Sequence, residues 1–233
     1  MEPIILYEDN HIIVAVKPQN IPSQEDATGD LDMLSILKNY VRDKYSKPGG
    51  VFMGLVHRLD RPTGGVMVFA KTSKAAARLS EQLREGDFEK KYLAVCAGRL
   101  KEKKARLVHY LAKDEKNNTV RIAHVSSEGA KRAELDYIVL EEEKPLSLVE
   151  IKLITGRGHQ ARVQMTAAGA SIYADVKYGA ALGKGQNLAL WAYSLRFIHP
   201  TTGLAMSFKV FPPEETPWTQ FKVYKHINVV RPE

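Results

Sequence analysis

The densest group of side chains able to do chemistry is His57-Arg58-Leu59-Asp60-Arg61-Pro62-Thr63-Gly64-Gly65, which runs into the apolar stretch Val66–Ala70. Pro62 biases Arg61 towards an extended backbone, and Gly64-Gly65 permits a tight path, so a loop carrying Asp60 is held at the entrance of a rigid strand. If the segment is extended, Arg58 and Asp60 share a face. Two readings stand side by side: Asp60 as a catalytic carboxylate, or the cluster as a structural salt bridge and turn.

A second cluster, Thr155-Gly156-Arg157-Gly158-His159-Gln160-Ala161-Arg162-Val163-Gln164-Met165, starts as a glycine-containing loop and continues as a helix. Ala161, Met165 and Ala168 fall on one stripe, with Val163 and Ala167 adjoining, so much of this helix should be buried. His159 and Arg162 lie one turn apart. An arginine on a buried helix needs a carboxylate or several acceptors, because stranding its charge costs several kcal/mol. Asp60 is a reasonable partner, among many acids.

Other chemistries are disfavoured by spacing. Gly179-Ala180-Ala181-Leu182-Gly183-Lys184-Gly185 falls one residue short of a phosphate loop and has Gly185 in place of the Ser or Thr, so it reads as a surface loop. The histidines lack zinc-hydrolase spacing, no carboxylate cluster suits a two-metal nuclease, and there is no Gly-x-Ser-x-Gly elbow. What remains is a site built on one carboxylate, with no metal and no cofactor.

The elements that must position these groups are short apolar runs separated by turns: Ile12–Val16, Val66–Ala70, Tyr92–Ala97, Arg132–Leu140, Leu146–Ile154, Leu188–Ile198 and Leu204–Phe211. They read as strands. Ser73–Glu85 reads as a helix, with Ser73 as cap, Ala75, Leu79 and Leu83 at helical spacing, and Gly86 to end it; Leu34, Leu37 and Val41 suggest another. Strands outnumber helices and many connections are too short for helical crossovers. The expected class is α+β, a mixed, largely antiparallel sheet with packed helices. The 233 residues, 44% hydrophobic, suffice for a single domain spanning 1–233, and no linker or repeat interrupts them.

Thirty-four Lys and Arg against 27 Asp and Glu give a formal charge of +7, which favours polyanionic partners, although Lys101-Glu102-Lys103-Lys104 reads as a solvated loop. The lone cysteine, Cys96, excludes an internal disulfide and reads as a buried thiol. No apolar run reaches membrane-spanning length and the start lacks a leader pattern, so the expectation is a cytoplasmic protein without membrane contact.

The cluster at 57–65, continued by Val66, resembles the catalytic motif of the RluA family of pseudouridine synthases. Further segments are similar in the same order: Tyr7-Glu8-Asp9 through Val16-Lys17-Pro18, Lys90-Lys91-Tyr92-Leu93-Ala94, then Thr155-Gly156-Arg157 with His159-Gln160 and Arg162-Val163. So are the closing Leu190-Trp191-Ala192, Leu195-Arg196-Phe197-Ile198-His199-Pro200-Thr201-Thr202-Gly203 and Phe211-Pro212-Pro213. The resemblance implies the pseudouridine synthase fold with a central RNA-binding cleft, and an isomerase that detaches uracil from ribose and rejoins it through carbon. It implies Asp60 as the essential carboxylate, Arg162 as its basic partner and Tyr92 as the aromatic packed on the target base. Arg58 would fill the gap left by the flipped nucleotide, with His57, Arg61, Arg157, His159 and Gln160 as further RNA contacts. RNA, ribosomal or transfer, is the implied partner of a monomer.

The sequence also departs from the family pattern. Gly158 replaces a usual hydroxyl residue, Ala161 a larger aliphatic, Gln164 a histidine, Ala170-Ser171 a His-Pro pair and Ala174 a glycine, while Trp191 stands where histidine is common. The family pattern begins at Tyr7, so the expectation is a catalytic domain without the family's frequent amino-terminal S4 domain. A catalytically silent RNA-binding factor on the same fold is the rival reading. A glycoside hydrolase would want a second flanking acid, and none stands out.

Overall fold

A computed structural model describes residues 1–46, 48–180 and 182–227. Its strands are β1 (Ile4–Glu8), β2 (Ile12–Lys17), β3 (Gly54–Leu55), β4 (Gly64–Ala70), β5 (Glu89–Gly98), β6 (Lys104–Asp114), β7 (Thr119–Ala123), β8 (Lys131–Glu143), β9 (Leu146–Leu153), β10 (Ala170–Ile172), β11 (Leu190–Ile198) and β12 (Ala205–Lys209). The helices are α1 (Met33–Lys44), α2 (Ser73–Glu85), α3 (Gln160–Ala167) and the short α4 (Val223–His226). The architecture is the expected mixed, mostly antiparallel sheet with packed helices. The chain divides into two units: residues 1–90 with 192–210, and 91–191 with 211–233.

In the first unit the strand order is β1, β2, β4, then β11 from Ala192 onward and β12, with β3 beside β4. Strand β2 runs antiparallel to β4, with Val16 opposite Val66 and Lys17 opposite Gly65, so the end of β2 lies beside the loop that carries Asp60. All seven residues of β4 are buried, which explains why its sequence is a continuous apolar run rather than an alternation. Ile12, Val14, Val66, Val68, Leu79, Phe88, Leu195 and Phe197 share one core cluster. Helix α2 has the expected span, but its cap is Thr72, whose hydroxyl accepts from the Ala75 amide at 3.1 Å; Ser73 is the first helical residue. Gly86 ends it in the left-handed region.

In the second unit the order is β5, β9, β8, β6, β7, with β10 pairing β5. Strand β8 is antiparallel to both β6 and β9. Two of these strands, β6 and β7, carry charged and apolar residues in a pattern the apolar-run reading passed over. Lys104, placed at the end of an expected solvated loop, opens β6. Cys96 is buried on β5, and burial pushes its thiol up to about 12. Helix α3 is short and buried at Gln160, Ala161, Arg162, Val163, Gln164 and Met165. The expected burial of its far end is not met, for Ala167 is exposed. The Gly179–Gly185 loop includes Ala181, which lies outside the described residues. No described helix is long and apolar enough to cross a membrane.

Candidate active-site elements

Asp60 occupies the first position of a turn closed by the Thr63 amide, which donates to the Asp60 carbonyl at 2.9 Å. Aspartate is favoured at that position. The side chain is half-buried, Arg58 is exposed, and Leu59 between them is buried and anchors the loop. Three further devices fix this loop. Ser23 Oγ donates to the Leu59 carbonyl at 2.9 Å and accepts from the Leu59 amide at 3.2 Å. The fully buried Lys17 ammonium donates to the carbonyls of Pro18, Ile21 and Arg61 at 2.9, 2.6 and 3.0 Å. Burial pushes this ammonium down to about 7; the Asp60 carboxylate pulls it back up, and Arg61 opposes that.

The third device is Gly65, at φ +128, where a Cβ would meet the backbone nitrogen of Ala192 at 2.6 Å. Only glycine lets the two backbones approach so closely. Arg61 donates to the Asn20 carbonyl at 3.2 Å and to Thr28 Oγ1 at 3.0 Å, and pairs with Asp30 and, at 3.6 Å, Asp26. Its guanidinium is therefore committed to the 20–30 loop, not presented as an open phosphate contact. His57 is buried and accepts from the Val68 amide at 3.2 Å. Accepting at Nε2 requires the neutral ring, and burial, helped by the nearby Lys90 charge, pushes its pKa down to about 3. His57 thus braces the loop against β4, and its burial argues against the expected contact with RNA.

Within the second unit, Tyr92 lies buried on β5. Arg162 is buried on α3, and its Nε and Nη2 donate to Asp175 Oδ2 and Oδ1 at 2.8 and 2.6 Å. Asp175, which the sequence did not single out, thus supplies one acid of the kind that the buried-arginine argument called for. Gln160 is also buried: its Oε1 accepts from Thr155 Oγ1 at 2.8 Å and from the Arg157 amide at 2.9 Å, and its Nε2 donates to the Glu134 carbonyl at 2.8 Å. It braces the 155–160 loop, a role that leaves its amide little to offer RNA. Arg157 is exposed, with Nε on the Arg132 carbonyl at 3.1 Å. His159 begins α3 in the left-handed region at φ 52 and meets the Tyr178 hydroxyl at 2.5 Å. Of the six expected RNA contacts, Arg58 and Arg157 are the two that lie exposed.

Comparison with known proteins identifies a family. The model of the family described as RNA pseudouridylate synthase matches residues 11–167, a segment that includes Asp60, Tyr92 and Arg162. The chain belongs to this family. It is 36% identical to ribosomal large subunit pseudouridine synthase C of Escherichia coli K12 over 212 residues, which cover 87% of this chain and 64% of that one. The corresponding protein of Pasteurella multocida is 35% identical, covering 87% and 62%. Ribosomal large subunit pseudouridine synthase D of Zymomonas mobilis is 34% identical, covering 91% and 69%. The chain thus spans just under two thirds of the length of the synthase C relatives.

Among solved structures, human RNA pseudouridylate synthase domain containing 4 superposes with a TM-score of 0.76 at 23% identity, covering 91% of this chain and 89% of that one. Human RNA pseudouridylate synthase domain containing 1 gives 0.72 at 26%, covering 91% and 84%. Both support the pseudouridine synthase fold.

The departures from the family pattern take definite places in this fold. Gly158 has open space where a Cβ would point. Gln164 is fully buried, with Nε2 donating to the Leu107 and Ala133 carbonyls, both at 3.2 Å, and lying 3.0 Å from His109 Nδ1. Ala174 adopts φ 63, a conformation that glycine would take without strain. Trp191 is buried, and its indole N–H has no partner among the described residues.

Proposed function

We propose that this chain is an RNA pseudouridine synthase that isomerises uridine in large-subunit ribosomal RNA, with Asp60 as the catalytic carboxylate. The observation that carries the reading is the family match over residues 11–167, a segment that includes Asp60, Tyr92 and Arg162. The names of the curated relatives point to ribosomal RNA in preference to transfer RNA.

The reaction needs no oxidant or energy source. The bond from ribose C1′ to uracil N1 breaks, a bond from C1′ to C5 forms, C5 loses a proton and N1 gains one, so substrate and product are isomers. Asp60 serves as nucleophile or base in detaching the base. Tyr92 packs on the uracil, and Arg162 supplies the basic group. A loop fixed by Lys17, Ser23 and Gly65 suits this chemistry, because a displaced catalytic group forfeits rate steeply. Exposed Arg58 and Arg157 offer charge to the RNA, and Arg58 fills the space vacated by the flipped nucleotide.

The test is site-resolved pseudouridine mapping of total RNA from cells with the intact gene, without it, and with Asp60→Asn. A large-subunit ribosomal site lost in both altered strains supports the reading. Unchanged maps, together with RNA binding by the purified protein, would favour a silent RNA-binding factor.

A further inference from the structure

The loop after β10 grips Arg162 from two directions. Asp175, fully buried, holds the guanidinium edge through Nε and Nη2, while the guanidinium carbon Cζ lies over the Tyr178 ring, 5.0 Å from its centroid. A 3₁₀ turn over Val176–Tyr178, preceded by Asp175, links them. Three residues per turn bring positions three apart to the same side, which is how one short turn presents both side chains to one arginine. The turn is itself pinned, since the Tyr178 and Ala180 amides donate to the Asp175 carbonyl at 3.1 and 3.0 Å.

The far end of Tyr178 is fixed as well. Its hydroxyl accepts from the Val120 amide at 2.9 Å and is hydrogen-bonded to His159 Nδ1 at 2.5 Å. The ring also packs against the cluster of Leu111, Val120, Ala133 and Val163. An arginine side chain loses its orientation readily, because it has many rotamers. Here a bidentate carboxylate sets the direction of the guanidinium and an anchored aromatic face sets its plane.

We infer that Asp175 and Tyr178 are positioning residues that fix the plane and direction of the Arg162 guanidinium, with His159 bracing Tyr178. This rests on the proposed reaction and on Arg162 as its basic group. His159 then acts on the protein side, in place of the RNA contact expected from sequence.

The experiment measures single-turnover pseudouridine formation on an unmodified large-subunit ribosomal RNA transcript, alongside filter-binding affinity for the same RNA and thermal melting. The variants are Tyr178→Leu, Tyr178→Phe and Asp175→Asn. Misplacing a catalytic group costs roughly tenfold to a hundredfold in rate, and that loss is expected for Tyr178→Leu and Asp175→Asn with RNA affinity unchanged. Tyr178→Phe keeps the ring but loses the bonds to Val120 and His159, so its rate should fall between those of wild type and Tyr178→Leu. A folded Tyr178→Leu or Asp175→Asn protein with wild-type rate overturns the inference, as does a rate loss that saturating RNA abolishes. If one of these two does not fold, the other decides. Wild-type protein that makes no pseudouridine overturns the reaction and this inference with it, whereas an active wild type with indifferent variants overturns this inference alone.

Discussion

The Lys17 ammonium reaches 44 positions along the chain to donate to the Arg61 carbonyl at 3.0 Å, next to Asp60. Its other two bonds hold the Pro18 and Ile21 carbonyls, so one buried cation ties the end of β2 to the candidate catalytic loop. Replacing it by methionine preserves the stem but strands the Pro18 and Ile21 carbonyls, while the Arg61 carbonyl keeps the Asn20 amide at 2.8 Å. Each stranded buried acceptor costs about 1–3 kcal/mol, partly offset by relief of the buried charge, so Lys17→Met should lose about 2–4 kcal/mol in urea unfolding. A loss under about 1 kcal/mol would show that water or a shift of the loop satisfies these carbonyls instead.

His57 makes stability depend on acid. Its folded pKa is pushed down to about 3 from the ordinary 6.5, so between these values the unfolded chain binds a proton that the folded chain refuses. Stability therefore falls as pH drops through this window, by about 1.4 kcal/mol per unit from this residue alone. His57→Gln can still offer the Val68 amide an acceptor but does not titrate. Its unfolding free energy should decline less steeply than that of the wild type between pH 6 and 4. Parallel curves would mean that the imidazole becomes protonated without leaving its place.

Much of this arrangement was legible in sequence where one physical signal dominated. Val66–Ala70 is apolar without a break because β4 is buried on both faces, and Ser73–Glu85 has helical spacing with an end signal at Gly86. Strands β6 and β7 were not legible, since Lys104, Arg106 and Val108 face solvent in alternation with half-buried residues and the pattern lacks a long apolar run; Arg106 pairs with Asp136 across the strands at 2.7 Å. The buried setting of Arg162 foretold a carboxylate, but its identity depended on a turn beginning at Ala174, whose left-handed backbone no propensity would suggest. Similarly, His57 and Gln160 are polar residues in motif positions, and sequence could not separate bracing a loop from touching RNA.

Two glycines in the motifs should respond in opposite ways. At Gly65 a new Cβ collides with the Ala192 backbone, and φ +128 is strained for any other residue. Gly65→Ala should cost about 3 kcal/mol or more, through overpacking and backbone strain together. At Gly158 the same atom meets open space. Gly158→Ser, which restores the family's usual hydroxyl residue, should stay within about 0.5 kcal/mol of wild type. Denaturant midpoints decide both, and a mild Gly65→Ala would require β4 and β11 to separate locally.

Ala174 precedes the acid that holds Arg162 and adopts φ 63. A left-handed alanine costs about 1–2 kcal/mol relative to its ordinary conformations. Glycine removes that strain but adds about 0.5–1 kcal/mol of chain entropy to the unfolded state. Strain is the larger of the two, so Ala174→Gly should stabilise the protein by roughly 0.5–1 kcal/mol. The φ value alone sets this sign, because Asp175 can keep both bonds to Arg162 in either sequence. Thermal melting at neutral pH checks it. A lower melting temperature would mean that the alanine methyl makes packing contacts worth more than the strain it carries, and that the departure from glycine at this position stabilises the turn.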